Sequence, residues 1–212
     1  MNMLQFITHE GNGYSYFDSA LLALKGGCKW IQLRMKYAHA DKIREVALRL
    51  KEECQKYDAI LIIDDHVDLV VDIDVDGVHL GKDDMPPHEA RKLMGEKYII
   101  GGTANTFDDI KTLVKANIDY IGLGPYRFTK TKDRLSPVLG IDGYKEIIQK
   151  YRDAGYNTPI VAIGGINKED VSALINCGIS GIAVSGTVIN ATDPIEETKK
   201  ILEILYNVKK TE

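Results

Sequence analysis

The apolar pattern of this chain changes period repeatedly, and that alternation constrains the fold more than any single motif. Eight short runs rich in Ile, Val and Leu, at residues 4–8, 30–35, 59–64, 77–80, 98–103, 120–124, 160–164 and 181–185, have the length and composition of strands. Between them lie segments of helical spacing at residues 18–24, 40–57, 88–94, 107–115, 144–151, 168–176 and 194–205. Residues 67–71 supply only a stub of helix in the third gap. Strands alternating with helices predict a parallel sheet covered on its outer face. Helix punctuation agrees: Gly26-Gly27 closes the first helix, Asn105-Thr106 caps the fifth, and Gly178 follows the seventh. An open doubly wound sheet usually carries a glycine-rich turn after its first strand, but here that turn reads His9-Glu10-Gly11-Asn12-Gly13, without GxGxxG. The expectation is therefore an α/β fold, a single (β/α)8 TIM barrel spanning residues 1–212.

In such a barrel chemistry sits on the loops after the carboxyl ends of the strands. The second strand reads Ile31-Gln32-Leu33-Arg34-Met35-Lys36, and period-two alternation puts Gln32, Arg34 and Lys36 on one face. With the apolar set under the helices, that polar trio faces the barrel mouth. Converging cations repel unless an anion joins them, either a ligand or neighbouring carboxylates. The third strand ends Asp64-Asp65-His66, and the fourth is followed by Gly81-Lys82-Asp83-Asp84. Carboxylates beside cations suit a Mg²⁺ ion shared with phosphate oxygens, or else salt bridges with Arg34 and Lys36, or helix caps. His79, inside the fourth strand, reads as a hydrogen-bonded structural histidine.

After the sixth strand, Gly124-Pro125 leads into Tyr126-Arg127-Phe128-Thr129-Lys130-Thr131-Lys132, rich in the hydroxyls and cations that wrap a phosphate, or simply a solvated basic loop. The seventh strand ends in Gly164-Gly165 and the eighth in Val184-Ser185-Gly186, where glycines admit a ligand to backbone N–H groups. Loops after strands seven and eight form the usual phosphate site of this architecture. Two anion sites, one metal-assisted, suggest a reaction between two phosphorylated molecules without naming them.

The net charge of −4 gives no reason to expect a nucleic-acid partner, so an anion must meet a local cluster of cations. Three scattered cysteines, without CxxC spacing, indicate reduced thiols rather than a metal or disulfide framework. No signal-like start and no run near the ~20 apolar residues that span a bilayer are present, so the expected location is the cytoplasm, with no membrane partner. The sequence leaves open whether the chain forms a homo-oligomer.

The ordered series QLRMK, IIDDHVDLV, DGVHLGKDD, YIGLGPYRFTKTK, IVAIGGI and GIAVSG resembles the thiamine phosphate synthase family over nearly the whole chain. The resemblance implies a Mg²⁺-dependent transferase of a TIM-barrel fold. It would couple a pyrimidine diphosphate to a thiazole phosphate, with loss of pyrophosphate and capture of a pyrimidine-methyl cation by the thiazole nitrogen. It also implies roles: Gln32, Arg34 and Lys36 hold the pyrimidine diphosphate beside Asp64, and Asp65 and Asp84 are the magnesium ligands. Thr103 lies near the pyrophosphate, while Thr129, Thr131 and Lys132 contact the phosphates. Gly165, Val184 and Ser185 cradle the thiazole phosphate. Arg34, Lys36 and Lys132 are the groups expected to act on the leaving group.

Four positions depart from the family pattern. Asp64 stands where Asn is usual, Met35 replaces an acid, Gly81-Lys82 replaces Gly-Gln, and Arg127-Phe128 replaces Tyr-Pro. A thiazole tautomerase on the same barrel is the nearest alternative, but it lacks the Thr-x-Thr-Lys loop and uses a His where this chain has Asn105. A sugar phosphate isomerase or epimerase would need an acid–base pair flanking the reacting carbon. A non-catalytic sensor has no need of groups matched to a leaving pyrophosphate, although fold alone does not reject it.

Overall fold

The computed structural model describes residues 4–128 and 137–209. Eight parallel strands close into a barrel in sequence order. They are β1 (Leu4–Ile7), β2 (Trp30–Leu33), β3 (Ile60–Asp64), β4 (Gly77–Leu80), β5 (Ile99–Ala104), β6 (Tyr120–Leu123), β7 (Ile160–Ile163) and β8 (Gly181–Val184), with β8 pairing back onto β1. The surrounding helices are α1 (Tyr16–Lys25), α2 (Ala40–Lys56), α3 (Val67–Ile73), α4 (Pro87–Met94), α5 (Phe107–Lys115), α6 (Gly140–Asp153), α7 (Val171–Cys177), α8 (Gly186–Ile189) and α9 (Pro194–Lys209). No helix among the described residues is long and apolar enough to cross a membrane.

Local chemistry explains where the helices start and stop. Ser15 caps α1 by accepting from the Asp18 N–H, and the Asp18 carboxylate returns a bond to the Ser15 N–H, a reciprocal box. Thr106 and Asp109 repeat that arrangement at α5, as expected at this cap. Gly178, at φ 103°, ends α7 in the left-handed region. The third gap holds a full helix rather than a stub: Val67, Leu69, Val70 and Ile73 are buried, and Asp74 ends α3 in the left-handed conformation.

Strand alternation sorts the core into two layers. Outward residues such as Ile31, Leu33, Leu61 and Ile63 pack beneath the helices. Inward residues Ile7, Trp30, Ile62, Tyr120, Val161 and Ala183 fill the barrel, so it is a packed interior rather than a pore. Trp30 and Tyr120 meet edge to face with centroids 4.8 Å apart. This packing explains Gly101: a Cβ there would lie 2.1 Å from Tyr120 Cζ. Gly101→Ala is therefore expected to cost at least ~3 kcal/mol, at or beyond the upper end of ordinary overpacking. A urea midpoint within error of the wild type would contradict this packing account.

Candidate active site

The polar corner of the mouth begins where β2 stops. Past Leu33 the backbone leaves the ladder, and the Arg34 N–H donates instead to Thr8 Oγ1 at 2.9 Å. The Thr8 N–H in turn donates to the Gln32 carbonyl at 3.0 Å, so the end of β1 fixes the end of β2. Gln32 is only 3% exposed, and its Nε2 donates to Asp64 Oδ1. Arg34 Nε lies 3.2 Å from Asp64 Oδ2. Two of the three expected cationic or amide groups thus converge on one carboxylate, and Asp64 answers the charge of Arg34. Lys36 follows two residues later in an exposed turn, with Nζ 5.5 Å from the centroid of the Tyr37 ring. Met35, 6% exposed, packs in the outer core, away from the mouth as its alternation requires.

Asp65 takes φ 66°, in the left-handed region, and its N–H donates to the His79 carbonyl at 2.9 Å. This conformation brings its carboxyl into hydrogen-bond contact with Asp84. Asp84 is itself fixed by the Gly81 N–H, donated to Oδ2 at 2.6 Å. Burial, then the charge of Asp64, then the contact with Asp84 push the Asp65 carboxyl up to about 8, against the opposing pull of Arg34. Among the described residues no three His, Cys, Asp or Glu side chains form a closed metal cage. Asp65 and Asp84 are a partial donor set of oxygen ligands, the kind Mg²⁺ completes with phosphate oxygens and water. Their mutual repulsion is an imbalance that a divalent cation relieves, so the residues fit such an ion.

Burial of Asp65, with that repulsion added to it, has a cost in the metal-free protein. A carboxyl whose folded pKa stands above its unfolded value loses stability as pH rises from the unfolded value to the folded one. For Asp65 the penalty sets in above the ordinary carboxyl value of 3.8 and is complete above about 8. Asp65→Asn, measured in chelator, is therefore expected to melt above the wild type at pH 8, with a smaller difference at pH 5. An equal or lower melting temperature at pH 8 would contradict the crowding.

Across the barrel, Thr103 lies in β5 facing the mouth, and its hydroxyl is 3.0 Å from His79 Nε2. His79 Nδ1 is 2.9 Å from the Tyr120 hydroxyl, which also accepts from Gln5 Nε2 at 3.1 Å. This buried file was invisible in the sequence beyond the expectation that His79 is hydrogen-bonded. Burial raises the Tyr16 hydroxyl, the charge of Glu10 adds to the effect, and that of Arg34 opposes it.

On the far side, Gly165 at φ 67° lets the turn after β7 meet the start of the loop after β6. A Cβ on Gly165 would lie 3.0 Å from Arg127 Cβ and 3.2 Å from the Phe128 carbonyl. Arg127 donates to the Gly165 carbonyl at 2.6 Å and grips both oxygens of Asp170 at 2.8 and 2.9 Å. The departure at Arg127 therefore has a structural partner, and it fastens the base of this loop to the turn after β7. Thr129, Thr131 and Lys132 lie outside the described residues. Val184 is 4% exposed, and Ser185 precedes the short α8, whose first N–H groups have no intrahelical acceptor. A cleft of about 590 Å³ borders this turn, lined by Asn167, Lys168, Gly186, Thr187 and Asn190 among others. Since β1 alone separates β8 from β2, the two anion-suited corners lie about 10 Å apart across the strands.

Burial raises all three thiols, Cys28, Cys54 and Cys177. Burial pushes Cys28 up to about 11 and Cys54 up to about 12, so both stay protonated near neutral pH.

The profile of the family described as thiamine monophosphate synthase matches residues 4–188. A thiamine-phosphate synthase of Bacteroides thetaiotaomicron is 54% identical over 99% of this chain and 100% of its own length. One from Bacteroides fragilis is 57% identical, covering 96% of this chain and all of that protein. Among solved structures, a thiamine phosphate pyrophosphorylase from Pyrococcus furiosus superposes with a TM-score of 0.85 at 32% identity, over 97% of this chain and 96% of that one.

Proposed function

The chain belongs to the thiamine monophosphate synthase family, and on that footing we propose how its barrel mouth performs the transfer. The enzyme is a transferase, and the product is thiamine phosphate. In the proposed reaction the bond between a pyrimidine methylene and its diphosphate oxygen breaks, pyrophosphate leaves, and the thiazole nitrogen supplies the electron pair for the new C–N bond. The observation that carries this reading is the meeting of Gln32, Arg34 and Asp64 beside the Asp65–Asp84 pair.

Charge grows on the leaving pyrophosphate as the C–O bond stretches, so groups fixed in advance against that charge stabilise the transition state more than the bound substrate. Arg34, oriented by Asp64 and by the Thr8 contact, supplies one such group, and Lys36 and Lys132 supply the others. Gln32, anchored inside the barrel, presents an amide to the pyrimidine beside Asp64. The Thr103 hydroxyl meets the pyrophosphate from β5. Asp65 and Asp84 would hold a Mg²⁺ ion, which when bound contributes further positive charge against the phosphate oxygens. Gly165, Val184 and Ser185 receive the thiazole phosphate, and the family resemblance assigns Thr129 and Thr131 to contacts with the phosphates. The protein needs no nucleophile, because its work is to position two substrates and neutralise a departing anion.

The test is incubation of the purified chain with the pyrimidine diphosphate and either the thiazole phosphate or its carboxylate, with products separated by chromatography. Thiamine phosphate and pyrophosphate are expected in equal amounts. Isomerisation of the thiazole carboxylate phosphate without any coupled product would instead assign the tautomerase reaction.

A further inference from the structure

The buried file Gln5–Tyr120–His79–Thr103 has a direction, and that direction sets what Thr103 can do. Gln5 is 2% exposed, Tyr120 is fully buried and His79 is 7% exposed, so each polar atom in the file must find its partner within the barrel. Gln5 Nε2 donates to the Tyr120 oxygen. The single Tyr120 proton, held firmly because burial raises the phenol, then needs an acceptor, and His79 Nδ1 stands 2.9 Å away. A His79 ring that accepts at Nδ1 is neutral and carries its hydrogen on Nε2. Nε2 faces Thr103 Oγ1 at 3.0 Å, so it donates, and the Thr103 oxygen accepts. The Thr103 hydroxyl hydrogen is left to point elsewhere.

Rigid surroundings hold the file. Trp30 packs on the Tyr120 ring, the rings of His79 and Tyr120 lie 5.4 Å apart, and a Cβ on Gly122 would come within 3.1 Å of His79 Cε1. The charged group nearest in register is Asp64, the β3 partner of His79, which Gln32 and Arg34 already engage.

We propose that His79 is a positioning residue: through its Nε2–H tautomer it fixes Thr103 as a hydrogen-bond donor aimed at the anionic leaving group. The inference rests on the reading that places pyrophosphate beside Thr103. In the opposite tautomer Nε2 would accept, the Thr103 hydrogen would turn inward, and an oxygen lone pair would face the departing anion. The interior of the barrel thus decides whether this hydroxyl helps or hinders departure.

The experiment has two arms on the full-length protein. In the first, long-range proton–nitrogen correlation of the uniformly nitrogen-15-labelled chain reads the tautomer of His79. Its signal among the five histidines is assigned by its loss in His79→Gln, or by elimination through His39→Gln and its like if that variant does not fold. Protonated Nε2 with bare Nδ1 is expected, and an Nδ1–H tautomer or an imidazolium would overturn the proposal. In the second, Tyr120→Phe keeps the ring but removes the proton that fixes the tautomer. Its kcat is expected to fall roughly tenfold, the scale of one hydrogen bond, with the KM for thiazole phosphate unchanged. In a Thr103→Ala background the same change should cost nothing more, and Thr103→Ser should restore the dependence. Independent, multiplying losses would overturn the proposal. Full activity in Thr103→Ala, with the Nε2–H tautomer present, would overturn the link to the leaving group. A wild-type chain without transfer activity would count against the functional reading, whatever the tautomer.

Discussion

Arg34→Ala is expected to lower turnover by on the order of a hundredfold or more while the barrel still folds, the range seen for preorganised donors at a developing oxyanion. The side chain is partly exposed and stands past the end of β2, so its loss opens no cavity between strands and helices. The anchoring contacts with Thr8 use the Arg34 backbone and survive the change. What disappears is the charge proposed to meet the leaving group, together with one of the partners of Asp64. Asp64, still bonded by Gln32 but without the opposing charge of Arg34, would then add negative charge where the proposed reading puts pyrophosphate, which deepens the loss. Arg34→Lys keeps the charge without the forked donor geometry and should recover only part of the rate. The check is kcat and kcat/KM beside a melting curve; near wild-type rates in Arg34→Ala would mean that the pyrophosphate does not meet this corner.

Asp65→Asn should cost a similar factor, on the order of a hundredfold, for a different reason. Asparagine tolerates the left-handed backbone that this position adopts at φ 66°, so the comparison isolates the carboxylate. The variant removes one of the two oxygen donors suited to Mg²⁺ and leaves only Asp84, in the turn after β4. Turnover should fall and the Mg²⁺ concentration for half-maximal rate should rise. The same substitution is expected to stabilise the metal-free protein, since it removes a carboxyl that burial first, and then the neighbouring Asp64 and Asp84, push up to about 8. Opposite signs in activity and stability are the mark of a group kept for chemistry rather than folding. Unchanged Mg²⁺ dependence would remove Asp65 from the metal site.

Much of the fold was legible because period-two and 3.6-residue patterns alternate through the chain without long interruption. Strand positions came within one or two residues of the observed ones, the differences falling at ends. β2 stops at Leu33 because the Arg34 amide bonds a side chain, which no alternation pattern encodes. α8 was missed because four residues are too few to show a helical period. At the site, Gln32 and Arg34 were legible from alternation along one strand. Lys36 was grouped with them by the same rule, but the chain has already turned there and the lysine is exposed. The bond between Gln5 and Tyr120 joins residues 115 positions apart, and neither residue type announces a partner at that range. The resemblance supplied what the pattern could not, the identity of the substrates.

The most direct test of the central claim is a single-turnover assay with Mg²⁺ present or chelated. It would follow pyrophosphate release and thiamine phosphate formation from the pyrimidine diphosphate and thiazole phosphate in the same samples. Equal amounts of both products with Mg²⁺, and neither when it is chelated, is the predicted result. Undiminished coupling in chelator, or no coupling by folded protein that still binds thiazole phosphate, would contradict it.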